Sequence, residues 1–190
     1  AFAAIVDAAA HFERDWNVRR GGLADAVDDF QGHFRLAEVE AAAAAAEDGL
    51  KTLTFVQSTI AAEATVRHFR ELLPKRRVTL TEEEGGWRKL VEEELGGSTH
   101  CYLKLDDGGR VEGGGASHHA QLLKPERLLH ESLFKRRDGI DALFATSMLA
   151  QGMNLPSDIV LIAGDSRWDV EGDKMKQLDA HELLNAAGRA

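Results

Sequence analysis

Residues 140–164 read IDALFATSMLAQGMNLPSDIVLIAG, and their reading decides the fold. Two runs, 140–145 and 158–163, are short and mainly apolar, the pattern of strands buried on both faces. The connector between them opens with Thr146-Ser147, passes through a short apolar segment and closes on Gly152-Met153-Asn154-Leu155-Pro156. A plain turn needs neither a hydroxyl pair nor a Gly-x-Asn-x-Pro knot. Hydroxyls at the end of a buried strand, followed by a helix start, bring O–H and backbone N–H groups together where a phosphate can sit. The same residue types also cap helices with no ligand present.

Working outward, the arrangement recurs. KTLTFV at 51–56 reads as a buried strand, followed by Gln57-Ser58-Thr59 and a helix reaching Leu73. Ala62, Val66, Phe69 and Leu73 fall on one stripe of that helix. Pro74 stops it, and RVTL at 77–80 reads as a second short strand. A helix with an acidic face is expected over 87–95, a strand in the alternating THCYLKL at 99–105, and a turn at Asp106-Asp107-Gly108-Gly109. Residues 110–115 show little pattern. Pro125 sits where a first-turn proline belongs, with Leu129 and Leu133 facing inward. A closing helix is expected over 180–187. Near the start, 2–16 and 36–47 read as helices. The second holds six alanines, Ala41 to Ala46, whose small side chains allow close packing on a sheet.

Strand and helix alternate from residue 51 onward, which predicts an α/β fold with a mainly parallel sheet covered by helices on both faces. The expected division is a helical lead-in or linker over 1–50 and one domain over 51–190. Ligands of such sheets gather at the carboxyl ends of the strands. Both hydroxyl pairs, Ser58-Thr59 and Thr146-Ser147, fall there.

Composition narrows the function. At 190 residues, 44% apolar and 29% charged, the chain is ordinary globular material with enough length for one core. A net charge of −9 excludes a generally basic coat for nucleic acid, though not a local groove. Cations concentrate at Lys75-Arg76-Arg77 and Lys135-Arg136-Arg137. Both clusters follow predicted helices, where they either offset the helix dipole or meet phosphate. The single Cys101 reads as a half-buried thiol in a reduced, cytoplasmic protein. No apolar run approaches the roughly 20 residues that span a bilayer, so no membrane partner is expected. With Ala first and NAAGRA last, the chain reads as a piece of a longer one.

Several motifs are excluded. The sequence has no Gly-Lys pair and so no G-x-x-x-x-G-K-[ST] loop, which argues against an independent ATPase. HELLN at 181–185 puts Asn185 where a zinc protease needs its second histidine. Neighbours on an extended chain point to opposite faces, so His118 and His119 cannot share one metal ion. Asp165 and Asp169 read as solvated loop carboxylates. No metal site is expected.

Together the pieces resemble the second, C-terminal RecA-like domain of a superfamily 2 helicase of the DEAD/DEAH type, nearest the Ski2-like branch. The likeness runs from about Lys51 to the last residue. TFVQST resembles the strand-and-hydroxyl motif that opens this domain, and the segment from ASHHA to LFAT resembles the family's His-His-Ala stretch and Glu-Arg helix. ATSMLAQGMNLPSDIVLI is close to the family's fifth motif throughout, and LDAHELLNAAGRA resembles the approach to its last. Residues 96–115 fit the family poorly.

The resemblance implies a three-layer RecA-like domain acting in an ATP-dependent nucleic-acid helicase or translocase. Ser58, Thr59 and Thr146 would hold phosphates of single-stranded DNA or RNA, and His119 would line the same path. Gly152 and Asn154 would face the nucleotide across an interdomain cleft, as would Asn185 and Gly188. Arg189 would reach ATP phosphates as a catalytic arginine. ATP and Mg²⁺ would be held mainly by an N-terminal RecA-like domain of the same polypeptide, so residues 1–190 alone would be inactive. The chain departs from the family pattern in having Asn185 for the usual Gln, and in ending at Ala190 before the Gly-Arg that completes the last motif. The rival reading is a non-catalytic RecA-like module that binds nucleic acid or protein. A third is a free-standing domain binding a small phosphate ligand.

Overall fold

The computed structural model describes residues 38–73, 77–146, 155–163, 166–169 and 174–177. A helix over 38–47 (α1) leads to β1 (Thr52–Val56), α2 (Thr59–Leu72), β2 (Arg77–Val78) and α3 (Glu82–Leu95). A 3-10 turn at Ser98–His100 follows, then β3 (Val111–Glu112), β4 (Gly115–His118), α4 (Lys124–Lys135), β5 (Ala142–Thr146) and β6 (Ile159–Ile162). Two further strands, β7 (Ser166–Asp169) and β8 (Lys174–Gln177), pair antiparallel. The readings at 2–16, Pro74, Lys75, Arg76, 147–154, Asp165 and 180–187 lie outside the described residues.

Strands β4, β5, β1 and β6 hydrogen-bond in that order and all run parallel, the sheet that the strand–helix alternation predicts. Side chains alternate between its faces. Leu143 and Ala145 of β5 join Leu53, Phe55, Leu129, Leu133 and Phe134 in one cluster, under α4. Ala142 and Phe144 join Val39, Ala42, Ala43, Val66 and Phe69 in the other, under α1 and α2. That makes three layers. The alanines of α1 allow its backbone close to the sheet, and Phe69 meets Phe144 edge-on at 5.5 Å. Each such fully buried aromatic contributes about 1.5–3 kcal/mol.

Five local readings are corrected. Helix α3 begins at Glu82, five residues ahead of expectation. Thr81 and Glu84 form a capping box there, and it holds Gly85-Gly86 inside the helix. The segment 77–80 yields only the two residues of β2, which pair antiparallel with β3 and lie outside the main sheet. Residues 99–105 alternate as read, with Cys101 and Leu103 buried, yet form no strand there beyond a single bridge at Leu105. Side chains take the place of a strand neighbour: the Tyr102 and Leu103 N–H groups donate to Glu126 Oε1 at 2.7 and 3.5 Å, and Arg88 Nη1 donates to the Leu103 carbonyl at 2.5 Å. Burial pushes the Glu126 carboxyl above its ordinary range, and those N–H groups pull it back. Asp169 ends a strand rather than sitting in a loop, and Cys101 is fully buried rather than half-buried.

Of the basic cluster at 135–137, Arg136 is engaged within the fold. Its Nη2 donates to the Thr79 carbonyl at 2.6 Å, and its Nε lies 3.1 Å from Oε1 of the buried Glu84, which Ser132 Oγ also reaches. The edge strand β4 is closed by side chains as well. The Gly114 carbonyl bonds inward to Ala142, so by alternation the carbonyls of Gly115 and Ser117 point away from β5. Arg70 Nη2 from α2 donates to the first at 3.2 Å. His130 Nδ1 from α4 donates to the second at 2.6 Å.

Candidate nucleic-acid interface

Because all four strands run parallel, their carboxyl ends meet on one side of the sheet. Val56 and Thr146 are register partners on the adjacent strands β1 and β5, about 4.8 Å apart in the hydrogen-bonding direction. Ser58 and Thr59 follow Val56 after the single residue Gln57, and His119 follows the end of β4, the other neighbour of β5. The four residues assigned to the strand path therefore share one edge. Gly152, Asn154, Asn185, Gly188 and Arg189 lie outside the described residues.

Ser58 is the N-cap of α2. Its hydroxyl accepts from the Ala61 N–H at 3.1 Å and its carbonyl from Ala62 at 3.0 Å. The helix-start N–H groups of Thr59 and Ile60 have no partner among the described residues and emerge at the edge. Ser58, Thr59 and Thr146 are half-buried, and Ile60 stands 79% exposed beside them. Hydroxyls, N–H groups and the positive end of a helix dipole suit a phosphate oxygen. They suit a triphosphate poorly, since the Gln57-Ser58 turn is short and has neither a lysine nor a glycine-rich loop to wrap one.

His119 departs from expectation. Its side chain is fully buried rather than lining an open path, because Nε2 donates to Glu63 Oε1 of α2 at 2.8 Å and Tyr102 packs edge-on against the ring at 5.1 Å. His118 points to the other face, where Nε2 donates to Glu131 of α4 at 3.0 Å, so the two imidazoles diverge as read. Burial lowers the His118 pKa, with Glu131 opposing. A third buried imidazole was missed in the sequence. His130 is held to about 3, chiefly by burial, against the pull of its bond to the Ser117 carbonyl. The available signal was Phe134 one turn on, which extends the inward stripe of Leu129 and Leu133 over His130. Glu63, whose carboxylate fixes the turn after β4, offered no comparable signal.

No family model matches the chain. The RQC trigger complex helicase SLH1 of Saccharomyces cerevisiae is 37% identical over 73 residues, 38% of this chain and 4% of that protein. The U5 small nuclear ribonucleoprotein 200 kDa helicase of Homo sapiens is 38% identical over 77 residues, 40% of this chain and 4% of its own length. The DExH-box ATP-dependent RNA helicase DExH14 of Arabidopsis thaliana is 38% identical over 80 residues, 42% and 4%. Each match thus covers a small part of a much longer protein. A crystal structure of the DUF1998 helicase MrfA bound to DNA and AMPPNP superposes with a TM-score of 0.51 over 83% of this chain and 16% of that one, at 17% identity, a likeness of fold. Among the described residues no helix is long and apolar enough to cross a membrane. The chain is a relative of the Ski2-like DExH-box helicases, and its parallel sheet and partial coverage of them fit their C-terminal RecA-like domain.

Proposed function

We propose that residues 51–190, with α1 packed on them, form the C-terminal motor domain of an ATP-dependent nucleic-acid helicase or translocase. The observation that carries this reading is the register pairing of Val56 with Thr146. It sets the hydroxyls of Ser58, Thr59 and Thr146 and the open start of α2 along one edge. Groups of this kind position a phosphate backbone without reading its sequence. The curated relatives are helicases, and the structural neighbour carries DNA and AMPPNP, which agrees with a single strand and a nucleotide as partners. ATP, with Mg²⁺, would supply the phosphoryl-transfer chemistry and would be held mainly by an N-terminal RecA-like domain of the same polypeptide. On this chain Gly152, Asn154, Asn185 and Gly188 would face the nucleotide, and Arg189 would stabilise charge on the transferring phosphoryl group. Closure of the two domains brings those groups together, and release resets them, which moves the strand.

Two substitutions in the full-length protein test this. Thr146→Ala should weaken single-strand binding alike for all sequences, by about 1.5–3 kcal/mol, the loss of one hydrogen bond to a charged phosphate. Arg189→Ala should cut strand-stimulated ATP turnover by orders of magnitude while leaving nucleotide-free strand binding nearly intact. Turnover that survives in Arg189→Ala, with strand binding preserved, would favour the non-catalytic module instead.

A further inference from the structure

A half-open cleft of about 910 Å³ runs beside α2, from Glu63 near the strand edge down to Glu71, with residues 99–102, Lys104, Glu112 and Gly113 forming its other wall. The nine residues of helix from Glu63 to Glu71, eight rises, make that wall about 12 Å long. The charges lining it cancel: Arg67, Arg70 and Lys104 stand against Glu63, Glu71 and Glu112. A polyanion gains no net attraction there, and an apolar peptide would strip six charged groups of water. A neutral, flat group with polar edges suits it better. Tyr102 lines the end nearest the strand edge. Its ring is half-buried and braced edge-on by His119, which is itself fixed by Glu63, so its position is set from behind. One turn along α2, Arg67 is exposed and has no ion pair among the described residues.

We propose that this cleft receives a nucleobase splayed out of a single strand crossing the carboxyl edge. The base stacks on Tyr102, its polar edge faces the mixed charges, and Arg67 meets the flanking phosphate. The inference rests on the nucleic-acid reading above. It adds a base-binding subsite on the 96–115 segment, whose sequence fits the helicase motifs poorly.

The test uses the full-length protein and single-stranded oligonucleotides carrying 5-iodouracil at successive positions. Irradiation should give an adduct on the peptide containing Tyr102 from one or two adjacent positions. Tyr102→Ala should weaken strand binding roughly tenfold, and Tyr102→Phe should restore it, since stacking needs the ring and not the hydroxyl. Adducts confined to other peptides while the oligonucleotide is bound would overturn the subsite and leave the helicase reading standing, as would undiminished affinity in Tyr102→Ala. Protein that binds no single strand at all, with Thr146 intact, would overturn the parent reading and this inference with it.

Discussion

His130 couples the sheet edge to pH, and the size of the coupling follows from its surroundings. The imidazole is fully buried, its Nδ1–H donates to the Ser117 carbonyl, and its pKa is held to about 3 against an ordinary 6.5. A histidine depressed in the folded state binds fewer protons than its unfolded counterpart once pH falls below about 6.5. Its contribution is therefore complete above that value and is lost as pH falls toward 3. At 1.36 kcal/mol per pKa unit, lowering pH from 7.5 to 5 removes about 2 kcal/mol. His118, depressed by burial on the same face, acts in the same direction. The perturbation is His130→Asn, whose amide keeps a donor toward Ser117 and does not titrate. The assay is hydrogen–deuterium exchange of β4 and β5 amides in the full-length protein, corrected for intrinsic exchange rates at each pH. The wild-type opening free energy should fall by about 2 kcal/mol more than that of His130→Asn over this range. Equal pH slopes in the two proteins would refute the reasoning, whatever their absolute stabilities.

Two further outcomes rest on geometry alone. At Gly139 a Cβ would overlap the Leu133 carbonyl oxygen, which accepts from Ile140 N–H at 2.9 Å, so Gly139→Ala must break the turn that feeds β5. It should cost about 1–3 kcal/mol in urea unfolding. Glu84 is fully buried and serves the α3 capping box, Ser132 and Arg136 together. Glu84→Ala removes the capping-box carboxylate and leaves the Ser132 hydroxyl without its acceptor, while Arg136 keeps the Thr79 carbonyl and Asp138, so it should cost about 1–3 kcal/mol in the same assay.

The parallel sheet was legible because each of its central strands is a short, mainly apolar run between turn residues, alternating with helical stretches. The edge site was legible for a related reason: hydroxyls after two such runs must share one side once the strands are parallel. What escaped was everything decided by side chains distant in sequence. Residues 99–105 have strand alternation, but their backbone partners are Glu126 and Arg88, which no local pattern reveals. His119 sits in the expected place, and its inward turn depends on Glu63, 56 residues away. The start of α3 could have been read from the spacing of Thr81 and Glu84, the two ends of its capping box.

The side chains that occupy the outward carbonyls of β4 make the sheet directional in its growth. An exposed strand edge is a template for other chains, and here Arg70 and His130 occupy acceptor sites that an incoming strand would need. Strand β6, at the opposite end, is only half covered by the described residues. A strand that extends this sheet, from the same polypeptide or from a misassociated neighbour, therefore has one side to join. Loss of either cap would open a second route to aggregation, visible as self-association.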